Sequence, residues 1–161
     1  MLEIRLLGEQ RITVGGERVD VGGSTRTVGL LGHLVVHGGA PQLRQHVAGQ
    51  FWPDSTDAQA RTNLRRELHR LRTLLPDADR CLGVDDTALW WRDDAPCVVD
   101  VLAFRRAADE ADVAEREDDE AAFVAAAERA VEAYGGDLLP GFSDDWVVAA
   151  RDQLRRQLLG R

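Results

Sequence analysis

The chain has 161 residues, 44% of them hydrophobic, and a formal net charge of -8 at pH 7, a composition that supports a packed core and argues against disorder. It holds no run of about 18 apolar residues able to span a bilayer, and its N-terminus alternates charge with hydrophobe instead of building a signal segment, so a cytoplasmic protein is expected. Its two cysteines, Cys81 and Cys97, have neither CxxC spacing nor further cysteines around them, which removes zinc modules and stapled secreted folds and leaves two free thiols.

In chain order, LEIRLL alternates, RITV follows Gly8, Glu9 and Gln10, and ERVDV, ending at Val21, follows Val14, Gly15 and Gly16. A glycine-punctuated antiparallel meander is predicted. From Thr25 the period lengthens, with Val28, Leu31, Leu34 and Val35 at helical spacing until His37, Gly38 and Gly39, and Pro41 lies beyond. A second, short helix is predicted over about 44–51, with Leu43, Val47 and Phe51 on one side and Trp52 and Pro53 closing it.

A cluster of capping residues, DSTD, then precedes a third helix over about 57–75. Leu64, Leu68, Leu71 and Leu75 draw one apolar stripe along it, and Pro76 ends it. The opposite face carries Thr62, Arg66, His69, Arg70 and Thr73, with Asn63 at its edge. Residues 60–75 hold five arginines and one histidine against a single glutamate. RCLGV and ALWWR flank Asp85, Asp86 and Thr87 as a predicted hairpin.

The order of sheet, three helices and hairpin is that of a winged helix-turn-helix. An arginine- and asparagine-bearing third helix suits the major groove, where arginine bonds guanine edges, asparagine reads adenine and further arginines neutralise phosphates. A merely solvated arginine-rich surface is the plainer alternative.

The remainder reads as helical. Phe104, Ala107, Ala108 and Ala111 form one stripe, and Phe123, Ala126, Ala127, Ala130 and Tyr134 form another before Gly135 and Gly136. A third helix is predicted with Ser143 as cap, Asp144 and Asp145 in its first turn, Arg155 and Arg156 near its end, and Val147, Ala150, Leu154 and Leu158 inward. Charge divides similarly: residues 1–96 carry 12 arginines against 13 carboxylates, whereas residues 97–161 carry 8 against 15. The expected class is thus α+β, with residues 1–96 as a DNA-binding domain and residues 97–161 as an all-α domain.

Other chemistries find little support. The acidic run 109–120 reads as a solvated helix end rather than an activation patch. His33 and His37 stand four apart without a third ligand, so no metal is expected. No phosphate-cradling glycine motif, nucleophile elbow, HExxH or catalytic serine, histidine and acid set is present, and the chain is read as a non-enzyme needing no cofactor.

The segment FWPDSTDAQARTNLRRELHRLRTLL resembles the helix-two to helix-three region of the Streptomyces antibiotic regulatory protein family, whose DNA-binding domain is of the OmpR type. VDVLAF and AERAVEAYGGDLLPGFSDDWVVAARDQL resemble the bacterial transcriptional activation domain that follows it there. The resemblance implies tetratricopeptide-like helix pairs in residues 97–161, which stop where that domain typically continues.

It further implies a transcriptional activator that binds direct repeats in double-stranded DNA, with RNA polymerase and a second copy of the chain as partners. Carried over residue by residue, it places Arg66 and Arg70 at base-contacting positions, Thr62 and Asn63 near the helix start, and His69 and Arg72 near the phosphate backbone. Arg65 lies beside them with Arg61, and Trp52 packs the turn or approaches a phosphate. Arg80 and Arg92 at the hairpin base reach toward the backbone.

Two positions depart from the family pattern. Leu43 stands where helix two usually has a serine or threonine cap, and the hairpin tip offers Asp85 and Asp86 where small or basic residues are usual. The alternative reading is a protein-interaction module whose winged platform binds DNA weakly or not at all.

Overall fold

The computed structural model describes residues 1–20 and 25–160. In chain order they form β1 (Leu2–Arg5), β2 (Arg11–Val14), β3 (Glu17–Arg18), α1 (Thr25–Val36), β4 (Gln42–Leu43), α2 (Arg44–Phe51), α3 (Asp57–Leu74), α4 (Ala78–Cys81), β5 (Leu82–Val84), β6 (Ala88–Trp91), β7 (Cys97–Val99), α5 (Asp100–Arg116), α6 (Glu120–Ala133) and α7 (Asp145–Leu159). The mixed α and β composition, a sheet-rich start followed by helices, agrees with the expected class. The chain gathers into two compact units, residues 19–97 and residues 1–18 with 98–161. These units do not follow a single cut at 96/97, because the N-terminal strands make their contacts with the C-terminal segment.

In the discontinuous unit, β1 and β2 pair antiparallel with Leu2 opposite Val14 and Ile4 opposite Ile12, and the sheet order is β3, β2, β1, β7. The alternation read from LEIRLL holds: Leu2, Ile4 and Ile12 are buried while Arg5 and Arg11 are exposed. The third strand is shorter than ERVDV, and Val21 lies outside the described residues.

The Asp100 carboxylate accepts the backbone N–H groups of Leu6, Leu7 and Val101 at 2.8–3.0 Å, fastening the end of β1 to the start of α5. Gly8 runs close against Gly135 and Gly136; a Cβ on Gly8 would meet the Gly135 carbonyl oxygen at 3.0 Å, and its φ of +86° is one that glycine tolerates. Leu6 and Gly8 complete this contact by pairing with Leu139 and Asp137.

The alanines of the α5 stripe are buried against α6, whose own Ala126 and Ala130 are buried in turn. Asp119 caps α6 by accepting the Ala122 N–H at 3.1 Å. Arg151 donates to the carbonyls of Leu138, Leu139 and Phe142, which satisfies acceptors of the loop between α6 and α7. One expectation fails here: Asp144, not Ser143, occupies the N-cap position of α7, and it makes no side-chain capping bond.

In the contiguous unit, α1 is buried from Thr27 to Val36. Val47, Phe51, Leu64, Leu68, Leu71, Leu75, Leu89 and Trp91 complete the core. Strands β4, β6 and β5 form a small antiparallel sheet. Its two-residue β4 is too short to show a period in sequence, as are the three-residue β7 and the single turn of α4. Leu43 has no capping side-chain bond to offer α2; its backbone pairs with Ala88 of β6 instead. Among the described residues, no helix is long and apolar enough to cross a membrane.

Candidate nucleic-acid interface

The third helix is built as its sequence indicates. Thr56 caps it, its side chain accepting the Gln59 N–H at 3.1 Å, and Asp57 lies in the first turn, where the helix dipole favours a carboxylate. Eighteen residues make a rod about 27 Å long at about 1.5 Å per residue. Ala60, Leu64, Leu68 and Leu71 bury its inner side, and Arg61, Thr62, Arg65, Arg66, His69, Arg70, Arg72 and Thr73 are exposed.

At 100° per residue the exposed groups fall on separate lines. Thr62, Arg66, His69 and Thr73 form the crest opposite the leucines. Arg61, Arg65 and Arg72 share one flank, and Asn63 and Arg70 share the other.

These groups differ in freedom. Arg66, His69 and Arg72 are exposed side chains able to turn toward a ligand. Arg70 donates to the Glu67 carboxylate at 2.7 Å. Glu67 is buried, 6% exposed, and also accepts the Thr27 hydroxyl of α1 at 2.8 Å. Arg70 therefore helps satisfy a buried charge as well as standing at the surface. The Asn63 side-chain oxygen accepts from Gln59 at 2.9 Å, and the Thr62 hydroxyl donates to the Ala58 carbonyl at 3.1 Å.

Trp52 is half-buried after α2, its ring 5.9 Å from that of Phe51. The Arg26 guanidinium lies 5.3 Å from the Trp52 ring and donates to the Phe51 carbonyl at 2.8 Å, an arrangement that holds the turn between α2 and α3. Arg80 is exposed on α4. Arg92 is committed to structure, donating to the carbonyls of Asp79 and Leu82 at 3.0 and 3.3 Å beside the Trp90 ring.

Of the two carboxylates at the hairpin tip, one builds the turn. The Asp85 carboxylate accepts the N–H groups of Thr87 and Ala88 at 2.9 and 2.7 Å. These backbone bonds hold its carboxyl below the usual carboxylate range. Asp85 is thus an element of the turn that keeps its negative charge, and Asp86 beside it is exposed as well.

No sequence pattern announces the cleft beside this tip. About 490 Å³ in volume, it is lined by Leu43, Arg44, Gln45, Arg61, Leu64, Arg65, Asp86 and Thr87. Arg44 is anchored there by its own N–H to the Thr87 carbonyl and by its side chain to the Asp85 carbonyl. The four-residue spacing of Arg61 and Arg65 is the one trace of this site in the sequence.

Elsewhere in the unit, the ring centroids of His33 and His37 lie 4.4 Å apart at an angle of 35°, and His33 bonds Gln50 at 3.0 Å. Burial, with the nearby His37, depresses the His33 imidazole to about 4. Among the described residues no group of three metal-ligating side chains occurs.

No family model matches the chain, and no curated protein matches it. Among solved structures it is similar to EmbR of Mycobacterium tuberculosis, solved in complex with a low-affinity phosphopeptide, with a TM-score of 0.79 and 19% identity. The match covers 98% of this chain and 43% of that one, so the chain spans less than half of the neighbour's length. The likeness is one of fold.

Proposed function

We propose that the protein is a cytoplasmic, sequence-specific transcriptional regulator of the Streptomyces antibiotic regulatory protein type, acting as an activator, whose α3 enters the major groove of duplex DNA. The observation that carries this reading is the cationic outer surface of α3 in a chain of net charge -8. Arg66 at the crest is the principal base-reading residue. Arg70, on the flank, reads bases once it leaves Glu67.

Thr62, Asn63, His69 and Arg72 complete the surface, and Arg65 meets phosphate. Arg80, Arg92 and Trp52 lie at its margins, where Arg92 and Trp52 act mainly by holding the hairpin base and the turn. A guanidinium bonds both acceptors of a guanine edge at once, which makes arginine the natural reader on such a helix. Residues 1–96 form the DNA-binding domain in this reading. Residues 97–161 form a tetratricopeptide-like domain that meets RNA polymerase or a second copy of the chain over direct repeats.

The test is selection from a random duplex library, followed by anisotropy titration at several salt concentrations. The reading expects an enriched repeat, an affinity that falls steeply with salt, and a loss of about 1 to 3 kcal/mol in Arg66→Ala together with relaxed choice at one base. Absence of enrichment, with weak binding that Arg66→Ala leaves unchanged, would overturn it. That outcome would favour the interaction-module reading, which draws on the exposed Asp86 and on the Glu67 tether of Arg70.

A further inference from the structure

Away from the outer face of α3, the contiguous unit holds the chain's two thiols, and they meet. Cys81 is buried at the end of α4 and Cys97 is half-buried at the start of β7. Both are free, and each thiol is hydrogen-bonded to the other. The backbone supports the approach: Arg92 N–H donates to the Cys81 carbonyl at 2.8 Å, Ala95 N–H to Arg92 and Cys97 N–H to Ala95. The two cysteines therefore stand at the two ends of segment 82–96, which contains the whole β5–β6 hairpin.

We propose that Cys81 and Cys97 are an oxidation site, joining as an intramolecular disulfide that closes this hairpin at its base. The oxidant required is a small peroxide, and the half-buried Cys97 is the thiol it reaches. The Cys97 sulfur attacks one peroxide oxygen: an S–O bond forms, the O–O bond breaks, and the second oxygen leaves as water with the thiol proton. The Cys81 sulfur then attacks the Cys97 sulfenic acid: the S–S bond forms, the S–O bond breaks, and the hydroxyl leaves as a second water with the Cys81 proton.

Two thiols thus lose two electrons and two hydrogens, and hydrogen peroxide is reduced to two waters. Disulfide formation brings the two thiols from hydrogen-bond contact to about 2 Å. Burial raises both thiols, that of Cys97 to about 12, which leaves little thiolate and makes the first attack slow.

The experiment treats the full chain with hydrogen peroxide, alkylates it under denaturing conditions and analyses it by mass spectrometry and non-reducing electrophoresis. The expected product is a monomer lighter by two hydrogens, with peptides containing 81 and 97 joined, both thiols closed to alkylation until dithiothreitol is added, and a higher urea midpoint before reduction than after. Thiols that stay alkylatable, disulfide-linked dimers, higher oxides at either cysteine, or an unchanged midpoint would each overturn the proposal. Cys81→Ser places a hydroxyl in the core and risks the fold, so Cys97→Ser is the informative variant. Under the same treatment its Cys81 is expected to remain reduced, and equally rapid loss of Cys81 would contradict the assigned order of attack.

Discussion

Arg66 and Arg70 stand four residues apart on one helix and carry the same charge, yet their surroundings set them apart. Arg66 projects from the crest, whereas Arg70 neutralises Glu67, which lies 6% exposed beneath it. Removing Arg70 leaves that carboxylate with the Thr27 hydroxyl, so Arg70→Ala is expected to lower stability by about 1 to 2 kcal/mol. Arg66→Ala should stay within about 0.5 kcal/mol of the parent. Urea unfolding monitored by tryptophan fluorescence separates the two, and equal stability would show that Glu67 does not need its partner.

His33 offers a second prediction at this scale. Its imidazole is depressed from 6.5 to about 4 by burial, so the unfolded chain binds its proton first. The stability this group contributes is complete above pH 6.5 and is lost as pH falls toward 4, up to about 3 kcal/mol in all. An NMR titration of the four histidines should show one ring with a midpoint near 4, and four midpoints near 6.5 would refute the assignment.

The helices are legible because their apolar stripes repeat over several turns: Leu64, Leu68 and Leu71 face inward by their spacing and are buried, and so are Phe104, Ala107 and Ala111. Strands β4 and β7 were invisible because two or three residues carry no period. Ser143 misled because a capping residue type stood one position before the actual cap. Within the candidate interface, the outer face of α3 followed from its 100° geometry. Arg44 did not, since its place in the cleft depends on a β4–β6 pairing that no local pattern announces. The Asp85 role was likewise hidden: a carboxylate holding a turn and one facing solvent read the same in sequence.

The hairpin itself makes a sharp prediction. Gly83 sits opposite Trp90, and a Cβ there would come within 2.0 Å of the Trp90 ring. Gly83→Ala must displace the indole or break the pairing, at a cost of about 1 to 3 kcal/mol. A thermal midpoint equal to that of the parent would show that the ring moves freely.

For the whole molecule, the charge boundary and the packing boundary differ. The near-neutral residues 1–96 include a β-hairpin whose partners lie among residues 98–161. A polypeptide of residues 1–96 would lack β7 and Asp100, leaving the Leu6 and Leu7 N–H groups without the carboxylate that accepts them. Hydrogen exchange should find residues 2–14 protected in the full chain and rapidly exchanging in the shorter one, while α3 stays protected in both. Equal protection of residues 2–14 would mean that the hairpin holds by itself.

The Leu6 to Asp100 bond spans 94 positions of chain, and that span has a meaning in time. During synthesis from the N-terminus, the first strands emerge early and wait for a partner nearly one hundred residues behind them. Residues 19–97 gather into a compact unit of their own. On the ribosome, the segment born second is therefore positioned to fold first, and the segment born first to fold last.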